Sequence, residues 1–199
     1  MKPITYISLV FALFACTTAF TQNKSSTAVV SELTIEPGVG VHTNFGTDFL
    51  VTNLIQWNPT RRFSLGAHTS FNYNNISQRD FNYVKTNYNY SINQKFGAGT
   101  TFYSKKSSHT FLLMVGFKYT AFKETLYNPD FDKVSVAIKG FSPDYGLMYS
   151  YKKGLKKCFF TFRMYIPLYP WPVKGSDIDY IDGNRDNIAL ELGIGVRIK

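Results

Sequence analysis

The last 12 residues of the chain constrain its fold more than any other stretch. From Ile188 to Lys199, every even position carries an aliphatic side chain, whereas the odd positions carry small or charged residues. Side chains of a β-strand alternate between its two faces, so this stretch predicts a strand with one continuous hydrocarbon face. A strand that crosses a membrane needs about 9 to 11 residues, and this alternation is that long. We therefore expect the closing strand of a β-barrel.

The composition agrees with a single β-rich domain. The chain has 199 residues, of which 44% are hydrophobic and 18% charged, as in an ordinary folded domain. Its 14 Tyr and 18 Phe residues are numerous for this length. Aromatic side chains favour both strands and the boundary between water and lipid, where an apolar ring and a polar tip are each satisfied.

The net charge of +9 would suit a nucleic-acid partner. However, no helix-turn-helix, zinc-knuckle or RRM signature accompanies it, and the export leader described next removes the chain from the cytosol. We therefore expect no nucleic-acid partner. The two cysteines, Cys16 and Cys158, are too few for a disulfide framework.

The first residues have the pattern of an export leader. A basic start at Lys2 precedes a hydrophobic run over residues 4–15, and small polar residues follow up to Gln22. These are the three regions of a secretory signal peptide, and the run is shorter than the roughly 18 residues of a membrane-spanning helix. Cleavage is expected between Thr21 and Gln22.

A lipoprotein leader is the alternative. Residues 13–16, Leu-Phe-Ala-Cys, resemble the lipobox, in which the cysteine is acylated, but Phe14 is bulky where that motif prefers a smaller residue. The predicted division of the chain is a signal peptide at 1–21, a short N-terminal segment at 22–30 and a barrel at 31–199.

Eight alternating segments, separated by turn-forming residues, follow the leader. They lie at residues 31–43, 48–57, 63–73, 83–103, 110–122, 134–151, 160–166 and 188–199. An even number of strands places both termini at one end, together with short turns at 58–61, 104–109 and 152–157. The sequence therefore predicts an all-β, eight-stranded, antiparallel up-and-down barrel.

Two positions disturb the pattern. Gln94 interrupts the apolar row of the fourth segment, which leaves ten strands, split at 93–95, as the alternative to eight. Pro143 lies within the sixth segment and has no N–H for a ladder, so we expect a bulge or kink there.

Alternation alone does not decide whether the apolar rows point into the barrel or out of it. A lipocalin-like soluble barrel would bury them. The polar rows are rich in Gly, Ser and Asn, which fit a narrow eight-stranded lumen, and the apolar rows are rich in Tyr and Phe toward the strand ends. Tyr169 and Trp171 begin the longest loop, where an aromatic interface would lie. We therefore predict a transmembrane barrel with its apolar rows in lipid.

A leader ending near Gln22, eight alternating strands and the terminal Gly193–Lys199 stretch together resemble the small outer-membrane β-barrel proteins common in Bacteroidota. Their architecture is similar to that of OmpA/OmpX-type barrels. The resemblance implies a place in the outer membrane of a Gram-negative bacterium, with outer-membrane lipid, lipopolysaccharide and the barrel-assembly machinery as partners. Ile198 stands where the family usually has a closing aromatic residue.

Five charged residues fall on the polar rows of the predicted strands. They are Glu36, Lys118, Arg163, Glu191 and Arg197. Aligning the ends of the last two strands brings Arg163 near the level of Glu191. Because a buried charge is costly unless it is paired, we predict a lumenal ion-pair network that plugs the barrel, with a gated pore as the alternative.

His68-Thr69-Ser70 resembles the His-x-Ser of the outer-membrane lipid A deacylases, in which the histidine is the base for a serine nucleophile. Here both side chains fall on the polar, lumenal row, although that chemistry needs access to lipid. Asn82 stands where an acid would complete the set. We therefore expect no enzyme and no catalytic residues.

The longest loop contains Asp177, Asp179 and Asp182 ahead of Gly183, which makes these carboxylates weak metal candidates. Their spacing departs from the EF-hand order, so we expect a solvated acidic loop and no cofactor.

Charge differs between the two ends of the predicted barrel. The end with the long loops carries Glu124, Asp130, Asp132, Asp177, Asp179, Asp182 and Asp186. The end with the short turns carries Arg61, Arg62, Lys105, Lys106, Lys152, Lys153, Lys156 and Lys157.

These patterns predict a non-enzymatic, monomeric outer-membrane barrel with a polar, packed lumen, whose outer loops have a surface-interaction or structural role. The alternatives are a lipid-modifying outer-membrane enzyme, a narrow solute pore and a soluble exported lipocalin-like binder.

Overall fold

The computed structural model describes residues 31–42, 49–73, 84–126, 134–154, 157–168 and 188–198. The strands are β1 (Glu32–His42), β2 (Phe49–Asn58), β3 (Phe63–Tyr73), β4 (Val84–Tyr103), β5 (Ser107–Leu126), β6 (Val134–Lys153), β7 (Cys158–Pro167) and β8 (Ala189–Arg197). Each strand pairs antiparallel with the next, and β8 pairs with β1. The prediction of a closed, eight-stranded, antiparallel barrel is confirmed.

No helix among the described residues is long and apolar enough to cross a membrane. The predicted signal peptide and N-terminal segment, residues 1–30, lie outside the described residues.

The fourth predicted segment forms one strand, so the ten-strand alternative is wrong. β4 pairs with β5 without a break on either side of Gln94. Gln94 points to the outside of the barrel, where Thr69 Oγ1 on β3 donates a hydrogen bond of 2.6 Å to Gln94 Oε1. This bond partly satisfies the amide, which explains how the outward row tolerates it.

The bulge or kink expected at Pro143 is also wrong. β6 continues through this residue, which lies opposite Phe117 of β5 in an unbroken register. The pairing of β6 with β7 ends at Gly146, so Pro143 lies beyond it, at a level where the missing donor is tolerated. The register shift that does occur lies in β4, between Thr86 and Tyr88.

The strands differ in length in a way that defines the two ends of the barrel. β4, β5 and β6 each have 20 residues, whereas the other strands have 9 to 11. The connections between β2 and β3, β4 and β5, and β6 and β7 are short, and we call this side the short-turn end. The extra length of β4 to β6 therefore extends past the opposite side, which we call the loop end.

Side chains alternate between an exposed apolar outside and a buried inside. Exposed fractions reach 59% for Val115 and 65% for Ile194 on the outward rows. Aliphatic side chains predominate in the middle of this surface, where Phe96 and the polar Gln94 also lie, and most other exposed aromatic side chains lie toward both ends. The latter include Trp57, Phe63 and Phe160 at the short-turn end, and Phe49, Phe71, Tyr73, Phe117 and Phe141 at the loop end. This orientation is the reverse of a lipocalin-like barrel.

The lumen is not polar throughout, contrary to the prediction. Five large apolar side chains from β2, β5 and β6 meet inside it, each at most 1% exposed. They are Leu50, Leu54, Leu112, Met114 and Met148. An eight-stranded barrel is just wide enough for side chains to fill its interior, so this cluster helps to close it.

Gly38 tests how tightly the interior is packed. A Cβ atom at this position would lie 2.5 Å from Arg163 Nη2 and 2.7 Å from the carbonyl oxygen of Leu192. We expect Gly38→Val to destabilise the folded barrel by about 1–3 kcal/mol, as overpacking does. The measurement is the urea midpoint of the folded form in detergent micelles, followed by heat-dependent gel mobility.

The neighbouring substitution Val39→Ile is the matched control, because Val39 is 49% exposed on the outward face and has room for another methylene. It should leave the midpoint unchanged. A wild-type midpoint for Gly38→Val would show that the interior is looser than described.

Candidate functional site: the charged lumen

Arg163 lies at the centre of the charged groups inside the barrel. It is directly opposite Glu191 in the pairing of β7 with β8, and its side chain is 0% exposed. Its Nε donates to Glu191 Oε2 at 2.8 Å, its Nη1 to the main-chain oxygen of Glu36 at 2.6 Å, and its Nη2 to Thr52 Oγ1 at 2.8 Å. One guanidinium therefore connects β7 to β8, β1 and β2.

The carboxylate of Glu36 is neutralised by a lysine that the sequence pattern placed in a turn. Lys152 Nζ lies 2.5 Å from Glu36 Oε1. Thr34 Oγ1 donates to the same oxygen at 2.7 Å, and Thr161 Oγ1 donates to Oε2 at 3.1 Å. Lys152 was predicted to lie in a basic turn, but β6 continues to Lys153, and the alternation of that strand turns Lys152 into the lumen.

Glu191 also spans the lumen toward β3. His68 Nε2 lies 3.1 Å from Glu191 Oε1, and both side chains are buried. Since β3 and β8 are separated by two strands in the barrel, this contact crosses the interior. Arg163, Glu191 and His68 thus form one connected group, hydrogen-bonded to the main chain of Glu36.

A second group of charges joins β4, β6 and β7. Lys95 Nζ lies 2.7 Å from Asp144 Oδ2 and 4.0 Å from the centre of the Tyr165 ring. The Tyr165 hydroxyl donates to Asp144 Oδ1 at 2.5 Å. Neither Lys95 nor Asp144 was predicted as a site residue. Asp144 lies beside Pro143, where an interruption of the strand was expected.

Arg197 lies apart from these groups, at the short-turn end. Its Nε lies 2.5 Å from Glu32 Oε1, and its Nη2 donates to the main-chain oxygen of Gly154 at 3.0 Å. The Tyr103 hydroxyl donates to the other Glu32 oxygen at 2.9 Å, and the Arg197 guanidinium lies 4.5 Å from the centre of the Phe159 ring. These side chains cover the short-turn mouth of the lumen.

Lys118, the fifth predicted residue, is buried on the inward face of β5, between Asn93 of β4 and Ser142 of β6. It lies farther along its strand toward the loop end than the residues around Arg163. The structure thus brings Glu36, Arg163 and Glu191 together and places Arg197 and Lys118 elsewhere in the barrel.

A small cavity lies between the charged groups and the loop end. Its lining includes His68, Ser70, Asn93, Lys95 and Tyr165, and it has room for about one water molecule. Two buried atoms of this lining, His68 Nδ1 and Asn93 Oδ1, have no hydrogen-bond partner among the described residues. A water molecule is the natural partner for both atoms.

His68 and Ser70 do not form a nucleophile and base pair. Glu191 does supply the acidic partner for His68 that the sequence pattern appeared to lack. However, Nε2 faces this acid while Nδ1 has no described partner, so neither nitrogen takes a hydrogen bond from Ser70. Both residues are buried inside the barrel, away from its apolar outer surface.

Other predicted residues cannot be placed. The metal candidates Asp177, Asp179 and Asp182 and the interface candidates Tyr169 and Trp171 lie outside the described residues. Within the described ranges, no group of three or more His, Cys, Asp or Glu side chains is arranged to hold a metal ion.

No protein-family model and no curated protein matches the chain. Solved structures with the same fold do. Neisserial surface protein A (NspA) has 9% identity and a TM-score of 0.50, covering 85% of this chain and 95% of its own. A major outer membrane protein from Thermus thermophilus has 11% identity and a TM-score of 0.50, covering 85% and 100%. The N-terminal β-barrel domain of Pseudomonas aeruginosa OprF has 10% identity and a TM-score of 0.47, covering 86% and 100%.

The substitution Glu191→Ala tests the central group. It leaves the Arg163 guanidinium buried without its carboxylate, and breaking a buried ion pair in this way costs about 3–5 kcal/mol. We expect a lower thermal midpoint of the folded barrel, measured by heat-dependent gel mobility. A midpoint equal to that of the wild type would rule out a stabilising pair.

Two further variants separate the loss of the pair from a general effect of substitution. Arg62→Gln, on an exposed turn, should leave the midpoint nearly unchanged. The double variant Arg163→Met with Glu191→Met should lose less than the sum of the two single losses, because neither partner is then left charged and alone.

Proposed function

We propose that the protein is a non-enzymatic outer-membrane β-barrel whose lumen is a plug rather than a channel, and whose loop end presents segments for contacts at the cell surface. One observation carries the proposal: the barrel exposes its apolar side chains and buries its charged ones. Water would favour the opposite arrangement, and lipid favours this one.

The dimensions of the barrel support a membrane location. Five of the eight strands have 9 to 11 residues, close to the number that a tilted strand needs to cross a bilayer. The exposed aliphatic surface between two sets of aromatic side chains has the layout of a hydrocarbon layer between two interfaces. A soluble monomer seldom exposes an apolar surface that surrounds the whole molecule.

The contents of the lumen support a plug. The Arg163 group, the Lys95–Asp144 pair and the apolar cluster around Met114 draw side chains from every wall of the barrel. At the short-turn mouth, Arg197 and Glu32 form a further layer. Ions would have to break several buried contacts to pass, so we favour a closed barrel over a solute pore.

The same contents argue against the lipid-modifying enzyme. A deacylase must bring its nucleophile to a lipid, yet Ser70 is 4% exposed and faces the lumen. Since His68 contacts Glu191 and not this serine, we propose that it serves the packing of the lumen.

The loop end suits a role in surface contacts. β4 continues for 6 residues beyond its pairing with β3, and β6 for 12 residues beyond its pairing with β7, roughly 20 and 40 Å at 3.3 Å per residue. We propose that these extensions hold the connections that follow them away from the membrane surface.

The remaining predictions belong to the same proposal. They are export by a signal peptide at 1–21, insertion by the barrel-assembly machinery, a monomeric state amid outer-membrane lipid and lipopolysaccharide, and a relation to the Bacteroidota-type barrels.

Planar-bilayer recording tests the plug. We expect insertion of the wild-type protein without resolved conductance steps, because the buried ion pairs close the path. Heat-dependent gel mobility of protein recovered from vesicles of the same lipids confirms that it is folded there. Regular conductance steps from the folded wild type would identify a pore instead. The double variant Lys152→Ser with Arg163→Ser removes two large side chains from the plug. It is the positive control, because conductance steps from this variant would show that the recording detects an open lumen.

Cys158 provides a test of location and orientation. It is an exposed thiol at the short-turn end, and it is the sole cysteine if the predicted leader is removed. In cells, we expect recovery in the outer-membrane fraction and reaction of Cys158 with a membrane-impermeant maleimide only after the outer membrane is permeabilised. Labelling in intact cells would reverse the orientation, and recovery in the soluble periplasmic fraction would reject the membrane barrel.

The control for this labelling uses the opposite end of the barrel. Ala137 is exposed on the extended part of β6. In a Cys158→Ser background, Ala137→Cys should react in intact cells.

A further inference from the structure

The short-turn end of the barrel carries a concentration of positive charge that the proposed plug does not use. Among the described residues, each of its three turns presents two exposed cations. They are Arg61 and Arg62 after β2, Lys105 and Lys106 after β4, and Lys153 and Lys157 around the third turn. No described residue of these turns is acidic, and the nearby Glu32 is already engaged by Arg197. We call these six cations the basic rim.

The basic rim is built on turns that are tied to one another or to neighbouring strands. The Gly154 N–H donates to the carbonyl oxygen of Lys106 at 3.0 Å, which joins the second turn to the third. The Arg197 N–H donates to the Lys157 carbonyl oxygen at 2.8 Å, and the Thr101 N–H to that of Arg62 at 2.8 Å. The backbone beneath the charges is therefore fixed, and only the side chains need to adapt to a ligand.

Each pair of cations lies beside an aromatic side chain on the outward wall. Trp57 and Phe63, both 45% exposed, flank the first turn. Phe102, partly exposed on the outward row, precedes the second, and Phe160, 45% exposed, follows the third. Aromatic side chains at the ends of a membrane barrel lie at the level of the lipid headgroups. The cations, a few residues farther along the same chain, then lie at the level of the lipid phosphates.

We propose that the basic rim binds the phosphate groups of anionic phospholipids in the leaflet at the short-turn end. This inference rests on the proposed membrane location. The guanidinium groups of Arg61 and Arg62 match two phosphate oxygens at once, whereas the lysines act as point charges. Three such sites around one end hold the barrel at a fixed depth in that leaflet.

A phospholipid fits this surface better than a soluble polyanion. The cations lie a few residues beyond outward-facing aromatic side chains, where lipid would be, and side chains of this length are able to lie along such a wall while their charges stay in water. Among the described residues, Arg197, Glu32 and Tyr103 cover the mouth of the lumen, where a soluble ligand would otherwise enter. The repeated combination of an aromatic ring and two cations is an interfacial pattern.

Trp57 is a built-in reporter for the experiment. The chain has two tryptophans, so Trp171→Phe leaves Trp57 as the single one, next to the first turn of the basic rim. The protein is folded into phosphatidylcholine vesicles that contain a minor fraction of brominated phosphatidylglycerol. Matched vesicles contain the same fraction of brominated phosphatidylcholine. Bromine quenches tryptophan on contact, so quenching reports which lipid lies beside Trp57.

The expected result is stronger quenching by the anionic lipid, equivalent to about a fivefold local enrichment, the scale expected for one well-placed cation at an anionic surface. High salt should reduce it, because these charges are exposed to solvent. In the variant Arg61→Gln with Arg62→Gln, the excess should disappear. In the control Lys139→Gln, an exposed cation on the extended part of β6, it should remain.

Equal quenching by the two lipids in the wild-type rim would overturn the proposal. So would an excess that persists when Arg61 and Arg62 are both replaced, or binding of the rim to isolated peptidoglycan without any lipid preference. If even brominated phosphatidylcholine failed to quench Trp57 and no heat-modifiable form appeared in vesicles, the membrane location itself would be wrong. The failure of this inference and that of the proposed function are therefore distinguishable.

Discussion

The burial of the Arg163 guanidinium is the interaction on which the interior of this barrel depends. A charged group removed from water must find opposite charge and hydrogen-bond acceptors nearby, and Arg163 finds them on three other strands. The outward rows can be largely apolar because the charges turn inward. Gly38 on β1 has no side chain, and this leaves room for the Arg163 guanidinium beside the β1 backbone. A hydrophobic core of equal volume would often be as stable, which points to the ion pairs as a means of fixing one arrangement of strands.

The alternation of residues, read together with the turn residues and the composition of the polar rows, was sufficient to predict the number of strands and the direction in which side chains face. Glu36, Arg163 and Glu191 were found in this way, since each lies on a polar row and two of them lie on neighbouring strands. The partners across the lumen were not found. The contact of His68 with Glu191 depends on how far each strand is shifted along the barrel relative to the next. These shifts add up over the two strands that separate β3 from β8.

Local composition misled the reading of other residues. Lys152 appeared to belong to a turn because basic residues follow it, and only the length of β6 reveals that it lies in the lumen. The apolar cluster in the lumen had one visible signal, the apolar residues on both faces of the second strand, which include Leu50 and Leu54. Such a strand has the same pattern whether its second face meets lipid or other side chains, so neighbouring strands must be known before it can be interpreted.

Arg163 and its partners connect the two sides of the seam at which the barrel closes. The seam between β1 and β8 joins the first strand of the sheet to the last and closes the barrel. Arg163 of β7 reaches past this seam from Glu191 on β8 to the main chain of Glu36 on β1. The seam is thus held from inside by a side chain that belongs to neither of its strands. A sheet that has not yet closed would leave this guanidinium with one of its three acceptors, so the same residue that fills the finished lumen also distinguishes a sealed barrel from an open one.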